Sequence, residues 1–178
     1  MLLREAGYEF IVQASDIDEA SMSANFPPTD LPQRLAVAKA EVVSGKFPED
    51  VILAADTIVA FGEEILGKPR DKQDARRMLR MLEGTTHLVI TGVAIFGPRQ
   101  SSSLTTRVMS AVRMNRLSTR QIDLYVEGGQ WEGKAGGYGL QDIDSFVEKI
   151  SGCRTNIVGL PMTTTKELLE RVGIKPSR

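Results

Sequence analysis

The chain has 178 residues, 42% of them apolar and 25% charged, with a formal net charge of −1. That length buries a substantial core in one domain or a domain with two lobes, and the near-neutral charge gives no electrostatic footprint for nucleic acid or an anionic membrane. One cysteine, Cys153, excludes an intrachain disulfide framework and a multi-thiolate zinc site, and no apolar run approaches the roughly 20 residues that cross a bilayer. No basic segment with an apolar continuation opens the chain, so no signal peptide is expected and a cytoplasmic protein is. In chain order, residues 2–6 suit the end of a helix stopped by Gly7, and "YEFIVQ" (8–13) suits a strand. An acidic, Pro-containing connection follows, bearing Asp16, Asp18 and Glu19. Residues 31–44 predict a helix with Leu31, Leu35, Ala38 and Val42 on its apolar line, Pro32 in the first turn and Gly45 at the stop. Lys39 and Glu41 lie off that line.

"VILAA" (51–55) has the continuous apolar character of a strand buried on both faces, and Asp56 is expected at its end. "TIVAF" and "EILG" flank Gly62 as a hairpin. Residues 71–83 predict a helix capped by Asp71, burying Ala75, Met78, Leu79 and Leu82, with Gly84 beyond. Two long strands, "THLVITGVAIF" and "LTTRVMSAVRM", are joined by "GPRQSSS" with a solvated tip. Ser118 and Gln121 form a capping box for a helix ending near Gly128 and Gly129. "GKAGGYGLQD" is a glycine-rich loop and "SFVEKI" a strand. Thr164 with Glu167 is expected to cap a last helix that stops at Gly173. The alternation indicates an α/β protein, and the long hairpins argue for a mixed sheet with flanking helices rather than an all-parallel one.

Several residues carry chemistry. Carboxylates of the acidic connection and Asp56 supply hard oxygen donors suited to Mg²⁺ or Mn²⁺, against the plainer reading of a solvated loop. A carboxylate after five apolar residues is placed where α/β ligands bind, or accepts in an Asx turn. Lys39 on its helix and Lys68 in "GKP" are point-charge phosphate binders or surface lysines; the Gly67–Pro69 bracket stiffens the second. The loop from Gly133 through Lys134 to Gln141 lets backbone approach an anion closely. It matches neither a P-loop nor a dinucleotide fingerprint. His87 sits in an alternating strand as a structural residue. Met78 and Met81 are core filler, and Trp131 and Tyr138 either stack on a base or pack.

"AADTIVAFGEEILGKPRDKQDARRML", "HLVITGVAI" and "KAGGYGLQ…NIVGLP" together resemble the Maf family of nucleoside triphosphate pyrophosphatases. The likeness runs along nearly the whole chain, in the family's order. It implies an inosine-triphosphatase-like fold with a cleft between two α/β lobes, and metal-dependent cleavage of a nucleoside triphosphate to the monophosphate and pyrophosphate. It assigns Asp56 as the catalytic carboxylate, Lys39 of "LAVAKA" and Lys68 of "LGKP" as catalytic and phosphate-binding lysines, and Gln141 as a catalytic and substrate-binding residue. Glu19 and Asp56 are the implied ligands of Mg²⁺ or Mn²⁺. Thr57 after the aspartate, with "GGYGLQ", resembles the branch acting on dTTP and UTP rather than the one preferring methylated guanosine triphosphate. A homodimer is the implied assembly, with no nucleic-acid or membrane partner.

The chain departs from the family pattern at its start. "LLREAG" corresponds to the tail of a segment that in the family follows a strand and an "S-x-S-P-R-R" loop, so an N-terminally truncated form is expected. "QDID" after the loop and Gly133 before "KAG" also depart from the pattern. Besides the pyrimidine pyrophosphatase, two other readings are a catalytically impaired nucleotide-binding regulator of the cell-division-inhibitor type and the same reaction on another nucleotide.

Overall fold

The computed structural model describes residues 2–23, 26–140 and 146–177. Its helices are α1 (Leu2–Glu5), α2 (Glu19–Ser23), α3 (Leu31–Lys46), α4 (Lys72–Leu82), α5 (Thr119–Glu127), α6 (Arg154–Ile157) and α7 (Met162–Arg171). The strands are β1 (Ile52–Phe61), β2 (Glu64–Leu66), β3 (Thr86–Phe96), β4 (Ser103–Met114) and β5 (Val147–Ser151), in one sheet of order β2-β1-β3-β4-β5. The sheet is antiparallel and flanked by helices, which bears out the α/β class and its hairpin construction.

Local chemistry explains most of the elements. Phe61 pairs with Glu64, leaving Gly62 and Glu63 as a two-residue turn; Gly62 has φ +59°, the position where such a turn favours glycine. The Asp71 carboxylate accepts from the Asp74 N–H at 2.8 Å and caps α4. The expected stripe Ala75, Met78, Leu79 and Leu82 is buried, with Asp74 added. The Ser118–Gln121 capping box is complete at the start of α5.

Four expectations are corrected. Residues 8–18 form no strand, and Ile11 and Val12 are 76% and 78% exposed; apolar alternation without a ladder partner does not hold a strand. The α3 helix continues through Gly45 to Lys46. Its buried face is Leu31, Pro32, Leu35, Ala36, Ala40, Val43 and Ser44, and Val42 is exposed, so the buried stripe is rotated from the predicted line. Thr164 lies inside α7 rather than at its cap, because Pro161 starts the helix earlier and its carbonyl accepts from the Thr165 N–H at 2.8 Å. Finally, β1 runs unbroken through Asp56 and Thr57 to Phe61, so Asp56 is mid-strand.

The chain divides into two compact units. One comprises Met1–Asp56, Thr91–Val108 and Gly159–Arg178, the other Thr57–Ile90 and Met109–Val158. In the first, alternation along β1 separates two clusters. Ile52 and Ala54 pack with Ala36, Ala40 and Val43 of α3 and with Ala94 and Phe96 of β3. Leu53 and Ala55 pack with Val93, Ile95, Leu168 and Leu169. In the second unit, Val59 and Leu66 join the buried faces of α4 and α5, while Ile58, Ala60 and Ile90 form a separate small cluster.

Candidate functional site

Residue parity along β1 places Asp56 on the same face as Ile52 and Ala54, the face covered by α3. On α3, Lys39 lies within one turn of Ala36, Ala40 and Val43, all buried. A long aliphatic stem rooted on that face carries its ammonium along the apolar surface to a polar end. Lys39 Nζ accordingly donates to Asp56 Oδ1 at 2.6 Å and lies 2.7 Å from Glu19 Oε1.

Glu19 arrives from the acidic connection by a local device. The Asp18 carboxylate accepts from the Ser21 N–H at 3.2 Å, and the Ser21 hydroxyl donates to the Asp18 carbonyl at 3.0 Å. Asp18 thus turns the chain into α2, whose first residue is Glu19. Within "DIDE", one acid shapes the turn and the next joins the lysine.

The side chains of Lys39 and Asp56 are 19% and 11% exposed, that of Glu19 50%. Burial alone would lower the lysine's pKa, but the hydrogen bonds to Asp56 and Glu19 and their charges outweigh it, holding the ammonium above the ordinary lysine value. The result, among the described residues, is a carboxylate–ammonium–carboxylate cluster whose three charges sum to one negative.

Glu19 and Asp56 supply the type of donor a divalent cation takes. Both carboxylates are hard oxygen donors that already converge on a single positive centre. Among the described residues no group of three or more His, Cys, Asp and Glu could hold a metal. Two carboxylates with substrate oxygens and water are a common complement for Mg²⁺.

The other anticipated residues belong to the second unit. Thr57, next along β1, projects to the opposite strand face from Asp56 and shares that face with Val59. Lys68 is exposed, between a buried Pro69 and the Gly67 carbonyl, which accepts from the Gly136 N–H at 3.0 Å. The glycine loop therefore docks on the lysine's own segment. Gly136 and Gly137 have φ +69° and +75°; a Cβ on the former would lie 2.9 Å from Val59, and one on the latter 3.2 Å from Pro69. Only glycine meets both demands. Gln141 falls outside the described residues.

The structure places Tyr138 and Trp131 in the core, not in position to stack on a base. Tyr138, 5% exposed, closes the loop against His87, whose Nε2 lies 2.5 Å from the tyrosine hydroxyl with the rings edge to face. Burial lowers the His87 pKa to about 4 and raises that of Tyr138. Trp131 Nε1 donates to the Val126 carbonyl at 3.0 Å. The sequence reading missed the His87–Tyr138 pair, whose partners are 51 residues apart. The signal available was a lone histidine at an inward position of a strand.

Fold and site together define an α/β protein that holds a charged carboxylate–ammonium–carboxylate cluster on a helix-covered sheet, with a glycine loop docked on a second lysine segment. The family model for Maf-like protein matches residues 1–172, and the chain belongs to that family. A dTTP/UTP pyrophosphatase of Symbiobacterium thermophilum is 41% identical over 173 residues, spanning 97% of this chain and 88% of the relative. The proteins of that name from Cereibacter sphaeroides and Anaeromyxobacter dehalogenans are 47% identical over 161 residues and 43% over 177. The matches span 89% and 97% of this chain and 81% and 88% of the relatives.

Proposed function

We propose that this chain is a nucleoside triphosphate pyrophosphatase acting on dTTP and UTP. The observation that carries the reading is the Lys39 ammonium held between Glu19 and Asp56, in a chain of a family whose similar members bear that activity in their names. In the reaction a water oxygen attacks the α-phosphorus and the bond to the bridging α–β oxygen breaks. The products are a nucleoside monophosphate and pyrophosphate, and the water gives up a proton.

Asp56 orients that water and accepts its proton. Lys39 and Lys68 offset charge building on the polyphosphate, and preorganised groups of this kind are each worth roughly 10²–10³ in rate. Thr57 and Gln141 contact the substrate. Glu19 and Asp56 would hold Mg²⁺ or Mn²⁺, which supplies Lewis-acid polarisation of phosphoryl oxygens when bound. A homodimer belongs to the same reading.

A panel of nucleoside triphosphates incubated with Mg²⁺ or Mn²⁺, with pyrophosphate measured, tests it. Fastest release is expected from dTTP and UTP. Preference for a purine substrate removes the specificity, and release from none of them removes the reading.

A further inference from the structure

Lys39 engages both of the carboxylates that a metal would need. Its ammonium sits 2.6 Å from Asp56 Oδ1 and 2.7 Å from Glu19 Oε1, contact distance for charge-assisted hydrogen bonds. All three residues belong to the same compact unit, and Lys39 stands on α3 within one turn of buried Ala36, Ala40 and Val43. Among the described residues, these three charges sum to one negative charge. A divalent ion added there gives a net positive cluster in a partly buried site, with like charges close together. It also breaks two short hydrogen bonds whose carboxylate partners are largely removed from water on the Asp56 side.

We infer that Lys39 is the resident counter-ion of Glu19 and Asp56, and that a divalent cation enters this site only together with a polyphosphate that takes over the ammonium. The inference rests on the pyrophosphatase reading, because a nucleoside triphosphate is the anion that would receive Lys39. A flexible four-carbon stem allows the exchange: the ammonium moves from the carboxylates to a phosphate oxygen while the carboxylates turn to the metal. No bond is made or broken, and each charge keeps a partner throughout. In the nucleotide-free protein Lys39 is thus a positioning residue, holding the two carboxylates in place. Linkage makes the effect reciprocal, so the metal strengthens nucleotide binding by the factor with which nucleotide strengthens metal binding. The device selects metal–polyphosphate pairs over free metal.

The test is Mn²⁺ binding to the nucleotide-free full chain, followed by electron paramagnetic resonance of the unbound ion. Lys39→Met should bind Mn²⁺ roughly 5–150-fold tighter than wild type, the usual span of a coupling between sites. Lys39→Arg keeps the charge and should bind as weakly as wild type. Equal or weaker binding by Lys39→Met overturns the inference, as does tightened binding by Lys39→Arg.

Circular dichroism establishes whether Lys39→Met folds. Should it not, the wild type decides. In protein labelled with nitrogen-15 lysine, the Lys39 Nζ resonance should stay in place through a Mg²⁺ titration. It should move when a UTP analogue with a non-hydrolysable α–β linkage is added. Movement with Mg²⁺ alone overturns the proposal. Pyrophosphate release by the wild type is measured separately: its absence removes the enzymatic reading, whereas the Mn²⁺ ordering of the variants judges only the ion exchange.

Discussion

Asp56 and His87 show two opposite settings for a titratable side chain removed wholly or partly from water. Asp56 accepts from the Lys39 ammonium at 2.6 Å. Replacing it with asparagine preserves shape and an oxygen for Lys39 but removes the charge and the acceptor of the proton, so Asp56→Asn should fold, melt below the wild type, and lose at least about 10²-fold in turnover. Wild-type-like pyrophosphate release from that variant removes Asp56 from the reaction. The Lys39 pair also has a pH signature. Because the folded-state pKa is raised, its stabilisation is fully present below the ordinary lysine value of 10.5 and is lost as pH rises through the folded value.

His87 behaves in the reverse sense. It is 2% exposed and neutral, with its pKa lowered to about 4 from 6.5. Between those two values the unfolded chain binds a proton that the folded one refuses, so stability falls as pH drops through that window, by up to about 3 kcal/mol. His87 is the only histidine in the chain, which makes the assignment clean. Urea midpoints of wild type and His87→Gln, taken above and below the window, should show a smaller acid loss in the variant. Equal losses would place the effect elsewhere.

At the scale of elements, the seat of α3 on β3 decides whether Lys39 reaches Asp56. Gly92 lies where the helix start touches the strand: a Cβ there would stand 2.2 Å from the Pro32 carbonyl oxygen and 2.3 Å from the Gln33 nitrogen. Both obstacles are backbone, so no rotamer relieves them, and the helix must move. Overpacking of side chains costs about 1–3 kcal/mol, and Gly92→Ala should exceed that range. Denaturant unfolding reads the loss; a cost below about 1 kcal/mol would mean that α3 shifts freely on the strand.

The same scale shows which features were legible in advance. The Asp71 cap, the Ser118–Gln121 box and the Gly62 turn are formed by residues two to four positions apart, so their chemistry is written locally. Thr164 with Glu167 mimics such a box, yet Pro161 starts the helix sooner. The α3 stripe is not fixed by its helical period, because small alanines can lie on either face of a helix. What selects Ala36 and Ala40 is the close approach of β3 through Ala94 and of β1 through Ala54, contacts that no helical period contains.

On the scale of the whole molecule, the two units share their strands. β1 passes between them after Asp56, β3 after Ile90 and β4 after Val108. β1, β3 and β4 are each continuous through that point, with no linker residues between their two halves. Calorimetry should therefore record one transition, with equal calorimetric and van't Hoff enthalpies. Two resolved transitions would show that the units unfold independently.

The cast of candidate groups came from the chain alone: an acid after an apolar run, lysines in two motifs, a loop of glycines and a family likeness carried by their order. Residue type and short spacing suffice for that, since they specify caps, turns and the charge a ligand would meet. Which groups meet was decided by packing. Lys39 seemed displaced from the apolar line of its helix, and Asp56 seemed to end a strand. The lysine instead stands on the buried face, and the aspartate lies mid-strand beneath it. Their meeting at 2.6 Å depends on the rotation of α3 over the sheet and on strand parity. That rotation is set by contacts with strand residues outside the helix, Ala54 of β1 and Ala94 of β3, where local periodicity carries no information.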